Sequence, residues 1–316
     1  MRQALKIFQP CPREPVAPAR RTALGSPAVD RAAETSGHIL RRGPEQAELP
    51  VLLSVPHAGR DYPLALRARL AVPLARLEAL EDRHADLLVD RACAEGATAL
   101  IAARARCWID LNRDPREVDP AMIDPSPPAR EIVSTMKVRG GLGLIPRYIA
   151  GTGDILRGRL TADELAARIA GDHRPWHAAI DTALAQRRAR FGAALLLDCH
   201  SMPALCGSGA AQVVIGDRHG RSAAPLLVER AITVARAAGL TVALNAPYPG
   251  GYTSERHGRP QYGVHAIQIE LDRALYLAPN LRDPGPGMAA MQALIARIAA
   301  ALAEELGASA LPLAAE

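Results

Sequence analysis

Two histidines close short apolar runs of the chain and are candidate metal ligands. His57 ends the segment VLLSVPH, and His200 ends the segment LLLDCH. A neutral imidazole binds zinc well, and a residue at the end of a strand is held firmly by the backbone. Either histidine alone would more commonly be a hydrogen-bonded loop residue. Together, with carboxylates nearby, they indicate a metal site at one edge of a sheet.

A hydrolytic zinc ion usually has three protein ligands and an open position for water. Asp82, in the segment EDRH, is the predicted third ligand, although its side chain could also cap a helix or be an exposed charge. Glu81 is the alternative and Asp61 a weaker one. No HExxH motif occurs, and Arg60 stands where an HxxE motif starting at His57 would need glutamate. No local motif therefore identifies the third ligand.

Glu270 ends the apolar run AIQI and is the predicted general base. A carboxylate at the end of a buried strand is costly to bury unless it is paired or has a function. As a base it would activate the attacking water and then pass the proton to the leaving amine. The alternative is a structural salt bridge to an arginine such as Arg273.

Three residues that bind anions well flank the run CWIDL: Arg106, Asn112 and Arg113. A guanidinium binds a carboxylate through two parallel hydrogen bonds, so these residues are predicted to hold a substrate carboxylate or stabilise an oxyanion. Arg113 is also expected to contribute to catalysis. Gly250 and Gly251 follow Pro-Tyr-Pro and form a turn that either covers the substrate or only connects two elements.

These polar residues must be positioned by a sheet, because they follow apolar runs. Five runs end in polar groups: VLLSV, CWI, ALLL, VVI (before Gly216 and Asp217) and AIQI. In open α/β sheets, ligands bind beyond the carboxyl ends of the strands. We therefore expect all five runs to deliver their polar groups to one edge of the sheet.

Apolar runs alternate with helical patterns along the whole chain after residue 45. Strands are predicted at 51–55, 98–102, 107–111, 193–198, 212–215, 240–244 and 266–271. Helices are predicted across 74–94, from Thr161 to about 171, and at 175–190, 223–238 and about 287–306; Thr161 and Glu164 form a capping box. Residues 112–160, rich in Pro, Gly and Arg, are predicted to leave the sheet as a long excursion. The pattern predicts one three-layer α/β/α domain with a mostly parallel or mixed sheet.

Composition narrows the class of protein. The chain has 316 residues, 49% hydrophobic and 3% aromatic, so its core must be mainly aliphatic. Residues 1–45 hold eight basic and four acidic residues and so account for most of the net charge of +5. The remainder is nearly neutral, which argues against a nucleic-acid partner. No apolar run approaches the roughly 20 residues that span a bilayer, so no membrane partner is expected.

The five cysteines are odd in number and form no CxxC motif, which argues against a disulfide framework or a thiolate zinc site. A reducing compartment, the cytoplasm, is predicted. Residues 1–30, with four prolines between 10 and 18, are predicted to be a mobile tail, and residues 31–316 the catalytic domain.

Taken in order, seven segments resemble the N-formylglutamate amidohydrolase family. They are SVPHAG, EDRHADLLVD, ARCWIDLNRDP, HRPWHAAI, LLLDCHSMP, PYPGGYTSERHGRP and GVHAIQIELDRALY, and they span roughly residues 45–280. The resemblance implies the phosphorylase/hydrolase-like fold of zinc carboxypeptidases and aspartoacylases, with one Zn²⁺ per chain. It also implies that His57 and His200 are ligands, that Asp82 lies in the acidic motif, and that Glu270 is the base. It places Arg106, Asn112 and Arg113 where such enzymes hold carboxylate and oxyanion.

The resemblance implies hydrolysis of a small acidic N-acyl amino acid, with N-formyl-L-glutamate of histidine degradation as the first candidate. The chain departs from the histidine-degradation members in one turn. Pro-Gly-Gly replaces their Lys-Gly-Gly, and in the Ser254-Glu255-Arg256 that follows, the arginine is displaced by one position. The alternatives are a carboxypeptidase or deacylase with another acyl or peptidyl substrate, and a non-enzymatic metal-binding protein on the same fold. Intact Glu270, His57 and His200 argue against the last.

Overall fold

The computed structural model describes residues 38–149 and 151–310, without the side chains of 309 and 310. The predicted N-terminal tail, residues 1–30, lies outside the described residues. Within the described residues the strands are β1 (Ile39–Arg42), β2 (Val51–Val55), β3 (Thr98–Ala102), β4 (Ile123–Asp124), β5 (Tyr148–Ile149), β6 (Gly153–Asp154), β7 (Leu160–Thr161), β8 (Ala194–Met202), β9 (Val213–Gly216), β10 (Val242–Leu244) and β11 (Val264–Asp272).

The helices are distributed between the strands and at the end of the chain. They are α1 (Leu64–Arg67), α2 (Leu74–Leu77), α3 (Ala85–Leu88), α4 (Asp90–Ala94), α5 (Met136–Arg139), α6 (Ala162–Arg168), α7 (Arg174–Phe191), α8 (Pro225–Ala237), α9 (Tyr252–His257) and α10 (Met288–Ala310). A π-helical turn, Ile169–His173, joins α6 to α7 without a break. No helix in the described ranges is long and apolar enough to cross a membrane.

Seven strands form one mixed sheet in the order β1-β3-β2-β8-β11-β9-β10. The four central strands, β3, β2, β8 and β11, are parallel. At one side β1 runs antiparallel to β3, and at the other β9 runs antiparallel to β11. The predicted α/β class with a mostly parallel or mixed sheet is confirmed.

Helices cover both faces of the sheet, which gives the predicted three layers. One core contains β-strand residues such as Leu197 together with residues of α3, α4, α8 and α10. The other contains Leu196 together with residues of α7 and of the excursion. Because successive strand residues point to opposite faces, Asp198 and His200 share the face of Leu196. The polar ends of the central strands therefore face α7 and the excursion.

Two strand predictions need correction. Cys107–Leu111 is a turn and not a strand; its backbone bonds to the excursion, through Asp110 N to Leu144 O at 2.7 Å. β9 exists, but it is antiparallel to β11, so Asp217 leaves the sheet at the opposite edge and there accepts a hydrogen bond from Asn245 at 2.7 Å. Polar groups thus reach the shared edge from β2, β8 and β11 and from the loop at 106–113.

The helix predicted across 74–94 is broken into α2, a 3-10 turn, α3 and α4. The break lies at Glu81, whose backbone is extended, and at His84, whose φ is 59°. Asp82 lies inside the break, and its amide donates to His57 O at 2.9 Å. The interruption is thus what brings Asp82 beside the end of β2.

The remaining elements agree with the sequence to within a few residues at their ends. The Thr161 capping box is present, and α6 and α7 form one helix through the π-turn where two were predicted. The described residues of the range 112–160 contribute no strand to the main sheet, which agrees with the predicted excursion. The sequence did not predict β1, an edge strand of four residues.

Candidate active site

Three buried side chains converge at the edge of the sheet and form what we name the metal cluster: His57, Asp82 and His200. Each offers one ligand atom, and these atoms all lie within 4.8 Å of one another. Asp82 Oδ2 lies 3.1 Å from His200 Nδ1 and 3.5 Å from His57 Nδ1. The three are at most 3% exposed.

Each imidazole of the metal cluster also contacts one carboxylate outside the cluster. Asp110 Oδ1 lies 2.7 Å from His57 Nε2, and Asp198 Oδ2 lies 2.8 Å from His200 Nε2. With Nε2 engaged in this way, the Nδ1 atom of each ring is turned toward the shared point. Carboxylates in this position fix ring orientation and tautomer in metal sites. The sequence interpretation gave Asp110 and Asp198 no role, although Asp198 lies two strand residues before His200 and therefore on its face.

The residues of the metal cluster fit a zinc ion. Two imidazoles and one carboxylate are a common catalytic zinc set, and His57 Nδ1 is buried with no hydrogen-bond partner. Burial would raise the pKa of Asp82, but the hydrogen bond with His200 and the nearby His57 ring hold it well below its usual value, so the carboxylate is ionised as a ligand must be.

The two alternative third ligands point elsewhere. Glu81 accepts a hydrogen bond from the Tyr62 hydroxyl and another from Arg83 at 2.8 Å. Asp61 is bound to Arg104. Among the three candidates, Asp82 alone joins the two histidines.

Glu270 lies beside His200 in the register of β8 and β11. Its Oε1 accepts a hydrogen bond from Gln268 Nε2 at 2.9 Å. Burial raises the pKa of Glu270 to about 7, and the nearby Asp82 charge acts in the same direction. Arg273, the alternative salt-bridge partner, donates instead to Asp82 Oδ1 at 3.0 Å and to Ser201 Oγ at 3.1 Å.

A cavity of about 290 Å³ is lined by all nine site residues predicted from the sequence. They are His57, Asp82, Arg106, Asn112, Arg113, His200, Gly250, Gly251 and Glu270. The same cavity is lined by Lys137, Tyr248, Gln268 and Arg273, which the sequence interpretation missed as site residues. Gln268 carried a signal, because it lies two strand residues before Glu270 on the same face.

The anion-binding residues flank a buried loop, and not a strand as predicted. Arg106 Nε donates to Asp110 Oδ2 at 2.8 Å, and Arg113 Nε donates to Leu142 O at 2.9 Å. Asn112 Oδ1 accepts from Thr253 N at 2.8 Å. We name Arg106, Arg113 and Lys137 the cation cluster.

The Gly250-Gly251 turn packs directly on this loop. Gly251 N donates to Gln268 Oε1 at 2.9 Å. A Cβ atom built on Gly251 would lie 2.3 Å from Asn112 Oδ1, so only glycine permits this approach. The turn is thus part of the cavity wall and not only a connector.

Behind the loop runs a chain of buried histidines. His177 Nε2 bonds Leu111 O at 3.0 Å, and His177 Nδ1 bonds His257 Nε2 at 2.9 Å. His257 Nδ1 in turn lies 2.9 Å from Asp181 Oδ1. His177 therefore joins α7 to the loop through the Leu111 carbonyl.

Comparison with known proteins agrees with this geometry. The family model described as N-formylglutamate amidohydrolase matches residues 49–277, a range that includes all nine predicted site residues. The chain belongs to the N-formylglutamate amidohydrolase family. The resemblance inferred from the seven segments is confirmed.

Two curated members of the N-formylglutamate amidohydrolase family are similar over most of their length. The N-formylglutamate deformylase of Pseudomonas aeruginosa is 32% identical over 240 residues, which are 74% of this chain and 84% of that protein. The N-formylglutamate deformylase of Pseudomonas putida is 31% identical over 239 residues, 73% and 83% of the two chains.

Two solved structures share the fold. The N-formylglutamate amidohydrolase of Ralstonia eutropha JMP134 superposes with a TM-score of 0.79 at 32% identity, covering 86% of this chain and 99% of that one. The Atu2144 gene product of Agrobacterium tumefaciens has a TM-score of 0.60 at 20% identity and covers 82% and 92%, a likeness of fold alone.

Proposed function

We propose that this protein is a zinc-dependent amidohydrolase that cleaves the amide of N-formyl-L-glutamate or a similar N-acyl amino acid. The observation that carries the proposal is one cavity that holds the metal cluster, a buried carboxylate and the cation cluster together. The deformylase names of the two Pseudomonas relatives support the formyl substrate.

In this proposal His57, Asp82 and His200 hold one zinc ion per chain. When bound, zinc would act as a Lewis acid and lower the pKa of water towards neutrality. Asp110 and Asp198 keep the two imidazoles oriented toward it. Arg273 binds the second oxygen of Asp82 and so fixes the rotation of that carboxylate.

Glu270 transfers a proton from the attacking water to the leaving amine in this proposal. As general base it takes a proton from the water that attacks the acyl carbon, and as general acid it gives that proton to the amide nitrogen as the C–N bond breaks. The products are formate, or another carboxylate, and the free amino acid. A group whose pKa is near the working pH is effective in both directions, and burial raises the pKa of Glu270 to about 7.

Arg113 and Asn112 bind the substrate carboxylate in this proposal, and Arg106 lies close enough to the same cavity to stabilise a developing oxyanion. Gly250 and Gly251 form the wall against which the substrate packs. We also propose a cytoplasmic enzyme of histidine degradation, which rests on the family resemblance.

The test combines metal content with product release on one preparation. Purified protein should contain about one zinc per chain and release formate and amino acid in equal amounts from N-formyl-L-glutamate. A chelator should abolish turnover and added zinc restore it. A panel with N-acetyl and dipeptide substrates distinguishes the deacylase and carboxypeptidase alternatives. Zinc binding without amine release from any substrate would support the non-enzymatic alternative.

A further inference from the structure

Lys137 reaches the cavity from an element that carries no other cavity-lining residue. It lies on α5, in the excursion, and lines the cavity with Glu270 and Arg113. Thr135 caps the helix by accepting from Val138 N at 3.2 Å, and its hydroxyl donates to Glu117 at 2.7 Å. The helix is therefore held at its start by a side chain of the neighbouring loop.

The end of α5 is tied to Arg113. Leu142 N donates to Lys137 O at 2.8 Å, and Leu142 O accepts from Arg113 Nε at 2.9 Å. One residue thus links the backbone of Lys137 to the guanidinium of Arg113. The link fixes where the Lys137 side chain begins relative to the Arg113 guanidinium, so that both cations can serve a substrate with two carboxylates.

The two arginines of the cation cluster share one buried carboxylate. Asp110 accepts from Arg106 and lies 3.7 Å from Arg113 Nε, so one carboxylate serves two guanidinium groups. The Lys137 ammonium lies 5.8 Å from the centre of the Tyr248 ring, at the Pro-Gly-Gly turn. Burial, with the charges of Arg113 and Arg106, lowers the pKa of Lys137 to about 8. An anion bound among these cations would relieve their mutual repulsion.

We infer that Lys137 is a specificity-determining residue that binds the side-chain carboxylate of the substrate, so that the site selects dicarboxylic N-acyl amino acids. The inference rests on the proposed function. Every N-acyl amino acid has an α-carboxylate, for which the planar fork of Arg113 is suited. A further cation at the same cavity improves binding only of a substrate with a second carboxylate, and an ammonium on a flexible stem suits a single-point contact.

The experiment compares two substrates of nearly equal shape, N-formyl-L-glutamate and N-formyl-L-glutamine, which differ in the side-chain charge. Lys137→Met keeps the length of the side chain and removes its charge. It should lower kcat/KM for the glutamate substrate by about 10- to 100-fold, the size expected for one charged hydrogen bond, and leave the glutamine substrate nearly unchanged. Lys137→Arg should restore most of the selectivity.

Arg139→Met is the matched control, because it removes the same charge from the same helix at an exposed position that does not line the cavity. It should leave both substrates unaffected. Equal losses on both substrates in Lys137→Met, or no loss on either, would overturn the inference. Thermal midpoints of the three variants identify any effect that comes from unfolding.

The pH dependence of the preference for glutamate over glutamine is a second test of the role of Lys137. Arg106 and Arg113 lower the pKa of Lys137, while Glu270 and Asp110 act in the opposite direction. Lys137 is charged below about pH 8 in the free protein, so the wild-type preference for glutamate over glutamine should fall as pH rises through 8. The ratio cancels the titration of Glu270, which affects both substrates. In Lys137→Met the ratio should be flat.

A binding measurement separates this inference from the proposed function. Calorimetry with L-glutamate and L-glutamine tests selectivity without turnover. If the wild type hydrolyses neither formyl substrate, the proposed function fails. The inference about Lys137 then stands if L-glutamate binds more tightly than L-glutamine only when Lys137 is present, and falls if the two affinities do not depend on it.

Discussion

The metal cluster and the cation cluster line one cavity but are built differently. The two histidines of the metal cluster are carried by the end of β2 and by β8, and each has its own buried carboxylate within 2.8 Å. The cation cluster lies outside the sheet, on the 106–113 loop and on α5, and Arg113 is held through backbone carbonyls. The ends of β2, β8 and β11 thus carry His57, His200 and Glu270, whereas Asp82 and the residues proposed for substrate selection lie outside the strands.

This difference predicts two classes of variant. Changes in the metal cluster or its carboxylates should alter metal affinity and turnover for every substrate. Changes in the cation cluster should alter KM and substrate preference while zinc is retained. A variant that changes both zinc affinity and substrate preference would contradict this separation.

Glu270→Gln should have the largest effect. It keeps the shape and one acceptor oxygen but removes the base, and general acid–base catalysis contributes roughly 10²- to 10⁴-fold. Turnover should fall by about that range at unchanged zinc content. Glu270 is protonated below about pH 7, so wild-type kcat/KM should rise with pH through that region, as a property of Glu270 and the groups coupled to it.

In Glu270→Gln this acidic limb should shift or vanish. Zinc content, thermal midpoint and turnover measured on the same preparation distinguish the base from a structural carboxylate. A stable, zinc-loaded variant with full activity would falsify the assignment.

Asp198→Asn should have the second-largest effect. It tests whether the carboxylate at His200 Nε2 orients that ring for metal binding. Loss of a carboxylate behind a metal-bound histidine typically costs about 10- to 100-fold in metal affinity or activity. Asp198 is a cleaner choice than Asp110, because Asp110→Asn would also leave the partly buried Arg106 without its charged partner. Competition with a chelator of known affinity gives the zinc affinity.

The same variant should change the acid sensitivity of zinc binding. Burial lowers the pKa of His200, but the Asp198 carboxylate outweighs this and raises it well above its usual value. The ring of the metal-free protein therefore holds a proton that zinc must displace, so affinity should rise with pH. Removing Asp198 should make that rise shallower near neutral pH, and an unchanged slope would argue against this origin of the proton.

The metal cluster could be predicted from the sequence because its histidines follow apolar strands. Side chains two residues apart on a strand point to the same face of the sheet. This alternation places Asp198 beside His200 on β8 and Gln268 beside Glu270 on the adjacent strand β11. The prediction that Asp217 shares this edge of the sheet was wrong, because an apolar run does not reveal whether its strand is parallel or antiparallel to its neighbour.

Lys137 could not be predicted in the same way. It lies on a four-residue helix in a segment rich in Pro, Gly and Arg, 24 positions beyond Arg113, and no periodic pattern connects the two. Their proximity depends on hydrogen bonds of the folded loop at Leu142. Likewise, the break that places Asp82 is set by the backbone at Glu81 and His84, which helical spacing of leucines does not reveal.

Arg113→Lys is expected to have a smaller effect, confined to substrate binding. An ammonium keeps the charge but cannot form the two parallel hydrogen bonds of a guanidinium, so kcat/KM should fall by about tenfold. Zinc content should stay at the wild-type level, because Arg113 contacts none of the three ligands directly. Unchanged kinetics would remove Arg113 from the site and leave Arg106 as the remaining arginine candidate.

Asp181→Asn should have the smallest effect, and it acts from outside the cavity. Leu111 O can only accept, so His177 carries its proton on Nε2. Burial lowers the pKa of His177 to about 2, so the ring is neutral and its Nδ1 must accept from His257 Nε2. The hydrogen bond from His257 lowers the pKa of Asp181, and the two groups are joined through His257 Nδ1.

The hydrogen bonds that run from Asp181 through His257 and His177 to Leu111 O hold the loop that carries Asn112 and Arg113. Asp181→Asn replaces an ionised acceptor with a neutral amide, so its hydrogen bond with His257 should weaken and kcat/KM fall by about two- to tenfold with zinc retained. Nitrogen NMR should show a change at His257 Nδ1, the ring nitrogen that bonds Asp181. Arg256→Gln, which removes the other partner of Asp181 at 3.1 Å, is the control. If it alters the His257 signals and the kinetics as much as Asp181→Asn does, the effect is one of surface charge and not of the histidine chain.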